Sequence, residues 1–262
     1  KDFPTVDAPK IDESILKQSL SSYAVDFFAD AKSINEKLFA ASYKLLVLPY
    51  GSAFPLDAWN TIRTFLNNGG CLVYIGGYPF HQPVIWKDNV WVNGIPQSSF
   101  AQQLCIGPSD KITLSQSEFF SNTKIVSKNE FEIKPEDLKN TSAVYEMIVQ
   151  FTNKADLGPE MNSGGQRQAS MRPLVEMINK DGLSVACPVA EIDYVQGRMA
   201  GARWVIAPTD AELSSSILKK MVDRALQGAV ELRAEPVFAS LYKDEVPQIS
   251  INLFKSDCTK QT

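Results

Sequence analysis

Two short apolar runs, Leu45-Leu46-Val47-Leu48 and Cys71-Leu72-Val73-Tyr74-Ile75, bracket a stretch patterned as one amphipathic helix, and this triplet constrains the fold more than anything else in the chain. Between the runs, Pro55 is allowed in a first helical turn, Leu56, Trp59, Ile62, Phe65 and Leu66 form one inner stripe, and Gly69 can take the left-handed cap. Apolar runs of this length, without polar alternation, suit strands buried on both faces of a parallel sheet. Strand, helix and strand in this order imply right-handed crossovers, so the expected architecture is α/β: a mostly parallel sheet flanked by helices.

The remaining punctuation fills in that frame. Ile11, Ile15, Leu16 and Leu20 lie on one stripe of an N-terminal helix, with Asp12 and Glu13 near its positive end. Tyr23 to Phe28 reads as a strand, and Ser33-Ile34-Asn35-Glu36 has the form of a capping box that opens a helix running to about Ala41. Val84 to Val92 reads as a hairpin around Asp88-Asn89; a two-residue turn there sets Trp86 opposite Trp91 on one face, and Asn93-Gly94 is a second turn signal. Short alternating segments at 111–114, 124–126 and 144–151 suggest an antiparallel insertion covering roughly 84–169, with polar 152–169 as a long exposed loop. Ser170 is placed to cap a helix with Pro173 in its first turn, Leu174, Met177 and Ile178 inward and Gly182 beyond its end. Leu183 to Val189 and Arg203 to Ala207 read as strands, and Ile217, Leu218, Met221, Val222, Ala225 and Leu226 mark a last helix. Val237 to Leu241 and Gln248 to Phe254 alternate with the period of two of strands packed on one face. The expected organisation is therefore an α/β domain over 1–230 and a C-terminal β segment over 231–262, the start of a β-sandwich-like unit or a linker.

Composition removes several function classes. With 26 basic and 30 acidic residues, and a net charge of −4, the chain has no broad positive field, so no nucleic-acid partner is expected. No run of about 18 apolar residues occurs, so no membrane-spanning helix is expected. The N-terminus lacks a basic region followed by an apolar stretch, and a start at Lys1 rather than methionine suggests a processed protein or a fragment of one. Cys71, Cys105, Cys187 and Cys258 are scattered without a C-x-x-C pair, so neither a metal site nor a cofactor is expected. Buried free thiols are the reading favoured for them, with three disulfide connectivities open if all four pair.

The segment Leu45–Ser52, the Pro55–Gly70 helix and Cys71–Pro79 together resemble the class I glutamine amidotransferase-like fold, a flavodoxin-like α/β sheet. They are similar in particular to its degenerate versions attached to glycoside hydrolases, among them the trimerisation domain of some β-galactosidases, and to the sugar-associated ThuA-like proteins. Active members of that family carry a nucleophile on a Gly-x-Cys-x-Gly turn after the second strand and a His-x-Glu pair near the end of the domain. Here the turn is Ile75-Gly76-Gly77-Tyr78-Pro79, with Gly77 at or beside the nucleophile position, and the chain has one histidine and no His-x-Glu. Leu48-Pro49-Tyr50-Gly51 resembles the segment that supplies an oxyanion-hole amide. The resemblance thus implies a non-catalytic accessory module of a larger carbohydrate-processing protein, periplasmic or extracellular, whose partners are a carbohydrate, adjacent domains of a longer chain and further copies of itself.

Residue chemistry gives four candidate constellations. His81 follows the turn at the carboxyl end of a parallel strand, where ligands of open α/β sheets bind, although a lone histidine is more often a surface or capping residue. Trp86 and Trp91, with Tyr78 near in sequence, can form an aromatic platform for sugar rings or simply cover a core. Glu191 and Asp193 alternate on one apparent strand and can share a face as an acid/base pair, whereas such pairs are common on solvated faces. Gly197 to Arg203 offers two glycines and two arginines for an anion clamp or for a plain turn. The candidate ligand-binding set is thus Gly77, Tyr78, His81, Trp86, Trp91 and Glu191. The competing reading is a glycoside hydrolase-like hydrolase using a cleft around Gly77, His81 and Glu191.

Overall fold

A computed structural model of the protein describes residues 2–149, 169–236, 243–244, 246 and 248–255. Its first half runs α1 (Glu13–Ser19), α2 (Ala31–Lys37), β1 (Leu45–Leu48), β2 (Ala53–Pro55), α3 (Trp59–Asn67), β3 (Cys71–Ile75), β4 (Gln82–Lys87), β5 (Val90–Asn93) and the single turn α4 (Ser99–Gln102). The strands β6 (Ile106–Thr113), β7 (Lys124–Ser127), β8 (Leu138–Lys139), β9 (Ala143–Val149), β10 (Ala169–Ile178), β11 (Ser184–Tyr194), β12 (Arg203–Ala207) and β13 (Glu212–Leu213) follow. Helix α5 (Ser215–Leu226) and the strands β14 (Val230–Pro236) and β15 (Ile249–Lys255) complete the described chain. The expected strand over Val237–Leu241 and the loop over 152–168 lie outside the described residues.

The central sheet has the order β1-β3-β12-β11-β10-β7. It is mixed rather than mostly parallel: β1 and β3, and β3 and β12, pair in parallel, while β12–β11, β11–β10 and β10–β7 are antiparallel. One face carries Leu46, Leu48, Leu72, Tyr74, Ile192, Trp204 and Ile206 against α2, α3 and α4. The other carries Val73, Ile75, Val189, Val205 and Ala207 against the stripe of α5, with Ile15 and Leu16 of α1 packed alongside. Burial on both faces is why β3 and, after Arg203, β12 are continuously apolar, with every residue of both enclosed.

The crossover read from the sequence forms, with a change at its start. Pro55 ends β2 and one 3₁₀ turn, Leu56–Ala58, leads into α3, whose Trp59, Ile62, Phe65 and Leu66 are buried; Gly69 adopts φ +84°. The hairpin also forms as expected. Trp86 faces Trp91 in register, and Asp88 and Asn89 both have positive φ, 50° and 60°, as a type I′ turn requires. Lys111–Thr113 and Val144–Val149 pair antiparallel in β6 and β9, but 124–127 joins the main sheet as its edge.

Four expectations are corrected. Residues 170–178 form a strand, not a helix: Leu174 and Val175 are both fully buried, so this strand is enclosed on two faces, and its apolar run lacks the alternation that separates strand from helix. Pro173 is accommodated where the register with β11 shifts, two residues before β7 begins to pair. Tyr23–Phe28 is not a strand; its tyrosine hydroxyl donates to Asp223 of α5 and Phe28 packs edge-on to Tyr43 at 5.6 Å. The capping box sits three residues earlier than expected, with Asp30 accepting from the Ser33 amide at 2.7 Å and Ser33 Oγ accepting from the Asp30 amide at 3.3 Å, and α2 ends at Lys37. Of the cysteines, Cys105 and Cys187 are free thiols, and burial pushes the thiol of Cys187 up to about 12; Cys71 is disulfide-bonded, against the expectation of a free thiol. Cys258 lies outside the described residues.

The cap assignment can be tested by denaturant titration. Asp30→Ala should cost about 1 kcal/mol, whereas Glu36→Ala, which removes only an exposed contact to Lys32, should stay within about 0.5 kcal/mol of the parent.

Candidate functional site

Strand β3 delivers the chain to Gly76 and Gly77, whose φ values of +89° and +54° make the sharp turn that the sequence announced. Opposite it, β1 ends in Pro49-Tyr50-Gly51-Ser52, with Gly51 at φ +65°. The space between them is filled by the N-terminal segment Val6-Asp7-Ala8. Val6 bridges Gly51, its amide donating to Tyr50 O at 3.2 Å and its carbonyl accepting from the Ser52 amide at 2.8 Å. A Cβ on Gly51 would fall 1.7 Å from Val6 O, one on Gly76 2.2 Å from Ala8 Cβ, and one on Gly77 2.3 Å from Ser52 Oγ and 2.9 Å from Asp7 Cβ. The turn therefore has no room for any side chain.

The amides nearby are spent as well. In the Leu48–Gly51 segment, which resembles the supplier of an oxyanion-hole amide, the Gly51 N–H donates to Ile75 O at 2.9 Å, and the Gly76 N–H donates to Ala207 O at 2.8 Å. Ser52 is fully buried and its hydroxyl donates to the Asp7 carboxylate. An oxyanion hole works by donors aimed at a place where charge can develop. Here those donors close backbone pairs and hold the N-terminal segment down.

The other predicted residues divide into separate groups. Tyr78 and His81 meet at a ring separation of 5.6 Å, with Tyr145 on the far side of Tyr78 at 5.0 Å; burial, with a smaller contribution from Asp110, pushes the Tyr78 hydroxyl up to about 12. His81 Nδ1 is enclosed and no described residue bonds it. Trp91 is wedged between Trp86 and Phe3, each at 4.9 Å, and Phe3 in turn lies 4.8 Å from Tyr50, while Trp86 leaves 42% of its surface open. The tryptophans thus form an aromatic row in which Trp86 is exposed and Trp91 half-buried.

Glu191 lies elsewhere. It pairs across the sheet with Val205, which pairs with Val73, and Gly77 is four residues further along, about 13 Å at the rise of a strand. Gly77 and Glu191 therefore do not line one cleft. Glu191 and Asp193 share a face of β11, as their spacing predicted, but that face is interior and both are fully buried. Arg172, directly opposite Glu191 in register, donates from Nε to Glu191 at 2.9 Å and from Nη2 to Asp193 at 2.5 Å. Arg203, directly opposite Asp193, holds it with Nε and Nη2 at 2.6 and 2.9 Å. Arg224, from α5, forks onto Glu191 at 2.7 and 3.0 Å. Burial alone would raise the Glu191 carboxyl, but the Arg224 hydrogen bonds and the charges of Arg203, Arg224 and Arg172 outweigh it and hold the group below the ordinary glutamate value.

Sequence reasoning named Arg203 but missed Arg172, Arg224, Asp7 and Ser52. Arg172 and Arg224 carry no local motif, and their convergence exists only once α5 packs on β12 and β3 and Arg224 reaches across to Glu191. Among the described residues no group of three or more His, Cys, Asp or Glu is placed to hold a metal, and no helix is long and apolar enough to cross a membrane.

No protein-family model and no curated protein matches the sequence. Among solved structures, the chain is similar to a cold-adapted β-galactosidase from Rahnella sp. R3, at 11% identity and TM-score 0.39 over 69% of this chain and 22% of that one. It is similar to a GH42 β-galactosidase from G. stearothermophilus, at 12% identity and TM-score 0.36 over 74% and 23%. It is also similar to the β-galactosidase of Bacillus circulans sp. alkalophilus, at 10% identity and TM-score 0.38 over 73% and 25%. The chain thus spans a quarter or less of the length of these proteins.

Two outcomes follow. Gly77→Ala should lower the urea midpoint at unchanged slope, costing about 2 kcal/mol or more, because it adds left-handed strain to a clash. Glu191 has a folded-state pKa below its unfolded one, so its contribution is complete above the ordinary value of 4.5 and is lost as pH falls through the lower, folded value. Arg224→Gln should therefore cost about 3 kcal/mol at neutral pH and move the acid limb of stability to higher pH, read from urea midpoints across pH 3 to 7.

Proposed function

We propose that this chain is a non-catalytic, amidotransferase-like accessory module of a larger carbohydrate-processing protein, serving assembly or glycan binding. The observation that carries the reading is the sealed turn: the position at which active relatives mount a nucleophile is a glycine whose missing side chain is replaced by Asp7 and Ser52. A catalytic turn needs an attacking atom, a base beside it and free donors for the developing charge. Here the amides of Gly51, Ser52 and Gly76 are bonded to Ile75, Val6 and Ala207, and the Ser52 hydroxyl is bonded to a carboxylate rather than an imidazole.

The carbohydrate context rests on the sequence resemblance, and the exposed indole of Trp86, braced by Trp91 and Phe3, offers a rigid apolar face of the kind sugar rings stack on. Assembly is supported at the other end of the molecule. Leu232 of β14 and Ile249, Ile251 and Leu253 of β15 are 65–70% exposed on a two-stranded ribbon, which is marginally stable by itself. This supports reading 231–262 as a segment that meets another domain or another copy. The disulfide at Cys71 supports a periplasmic or extracellular location.

The purified chain should show no turnover of glutamine or of aryl glycosides, His81→Ala should change neither its stability nor its binding, and oligosaccharides should quench tryptophan fluorescence saturably in the parent but not in Trp86→Ala. Glycoside hydrolysis that disappears in His81→Ala would replace this reading with the hydrolase.

A further inference from the structure

We infer that the crevice between β1 and β3 is an acceptor for an extended segment bearing an aromatic ring and a carboxylate, and that its occupant on assembly is the N-terminal segment of a second copy of this chain, exchanged for its own. Exchange of this kind rests on assembly of the chain with further copies of itself, as proposed above, and supplies a contact for it.

The seated segment displays what the crevice recognises. Phe3 enters a slot between Tyr50 and Trp91, with ring centroids 4.8 and 4.9 Å away. Further along, Val6 pairs with the backbone of Tyr50 and Ser52 through bonds of 3.2 and 2.8 Å, Asp7 presents its carboxylate to the Ser52 hydroxyl, and Ala8 lies over Gly76. Main-chain pairing combined with side-chain pockets at fixed spacing is how extended peptides are recognised. The two sides differ in burial: Gly51, Ser52, Gly76 and Gly77 are enclosed, whereas Phe3, Val6 and Ala8 are half-buried and Asp7 is exposed. The floor of the crevice therefore belongs to the core, and the segment lies on it.

Nothing in these contacts requires segment and crevice to belong to one chain. Asp7 holds φ +60°, a left-handed conformation that a residue other than glycine adopts at a cost, so the seated segment is under strain. Pro4 and Pro9 bias Phe3 and Ala8 toward extended backbone, so a released segment keeps much of the shape in which it binds. Residues 9–12 join the segment to α1 without helix or strand, and the ion pair of Lys10 with Asp2 is exposed and lies within the segment and this joint. Rerouting 9–12 carries the segment to a neighbouring copy with the crevice contacts preserved, the low-cost route by which identical elements are exchanged.

Anisotropy of a labelled peptide of residues 2–10, titrated with the full chain, tests the exchange. A full-length variant with its own segment weakened, Phe3→Ala with Asp7→Ala, should bind the peptide saturably and about tenfold or more tightly than the parent does, because the parent's segment competes at a high effective concentration. In that variant background Ser52→Ala should weaken the peptide about tenfold, the loss expected of a charge-assisted bond. Peptides carrying Asp7→Ala or Phe3→Ala should be weakened to a similar degree, and these changes leave the protein untouched. No saturable binding to the weakened variant, equal binding to variant and parent, or equal binding of native and substituted peptides would each overturn the inference. Sedimentation separates this from assembly itself: oligomers that persist unchanged in the weakened variant, with no peptide bound, overturn exchange and leave assembly standing, whereas a parent that is monomeric throughout, with no peptide bound by the variant, removes both.

Discussion

The five-residue charge network of Arg172, Glu191, Asp193, Arg203 and Arg224 is the constraint on which the rest of the structure depends. It joins three adjacent strands and the helix that covers them, and it also bonds the first residue of β14, whose amide donates to Asp193 at 3.2 Å. Two of its contacts, Arg172 with Glu191 and Asp193 with Arg203, are cross-strand pairs set directly opposite each other. A slip of one residue in either register would turn a buried carboxylate onto the other face of the sheet without its arginine, at a cost of several kcal/mol. The network therefore specifies how the antiparallel half of the sheet attaches to the parallel half. It also fixes where α5 sits, because Arg224 reaches Glu191 only from that helix.

At the carboxyl end of β1 and β3 the same molecule solves a different problem. Two loops that would otherwise leave free amides and an open crevice are bridged by Val6, and three glycines allow the bridge to lie against the backbone. The glycines and the N-terminal segment are mutually required: a side chain at Gly51 or Gly76 would displace Val6 or Ala8, and loss of the segment would leave the Ser52 hydroxyl and amide without their partners. Phe3 extends the arrangement by packing between Tyr50 and Trp91, so the start of the chain ties the turn to the hairpin. A crevice closed in this way is a load-carrying part of the core.

How far the sequence could be read depended on whether each signal was local. The crossover through α3 was legible because one helix between two apolar runs admits one connection, and the hairpin because Asp88-Asn89 fits the positive φ values of its turn. Helix α5 was legible from its stripe. The strand at 170–178 was misread because a segment buried on both faces has no polar alternation, and Ser170 and Pro173 imitate a helix start. The cap at Asp30 was missed since Ser33 and Glu36 offered an equally well-formed box three residues later.

The sequence by itself determined that the turn after β3 carries no nucleophile, that Glu191 and Asp193 share one face, and that Trp86 opposes Trp91; each follows from neighbours in the chain and the fixed periods of a strand or turn. Only the tertiary structure decided that the turn is sealed, that the two carboxylates are interior and held by three arginines, and that Trp91 packs half-buried against Phe3. Those outcomes join residues 33 or more positions apart, such as Arg224 with Glu191, Gly51 with Val6 and Trp91 with Phe3, and no local pattern encodes which distant side chain will fill a given space.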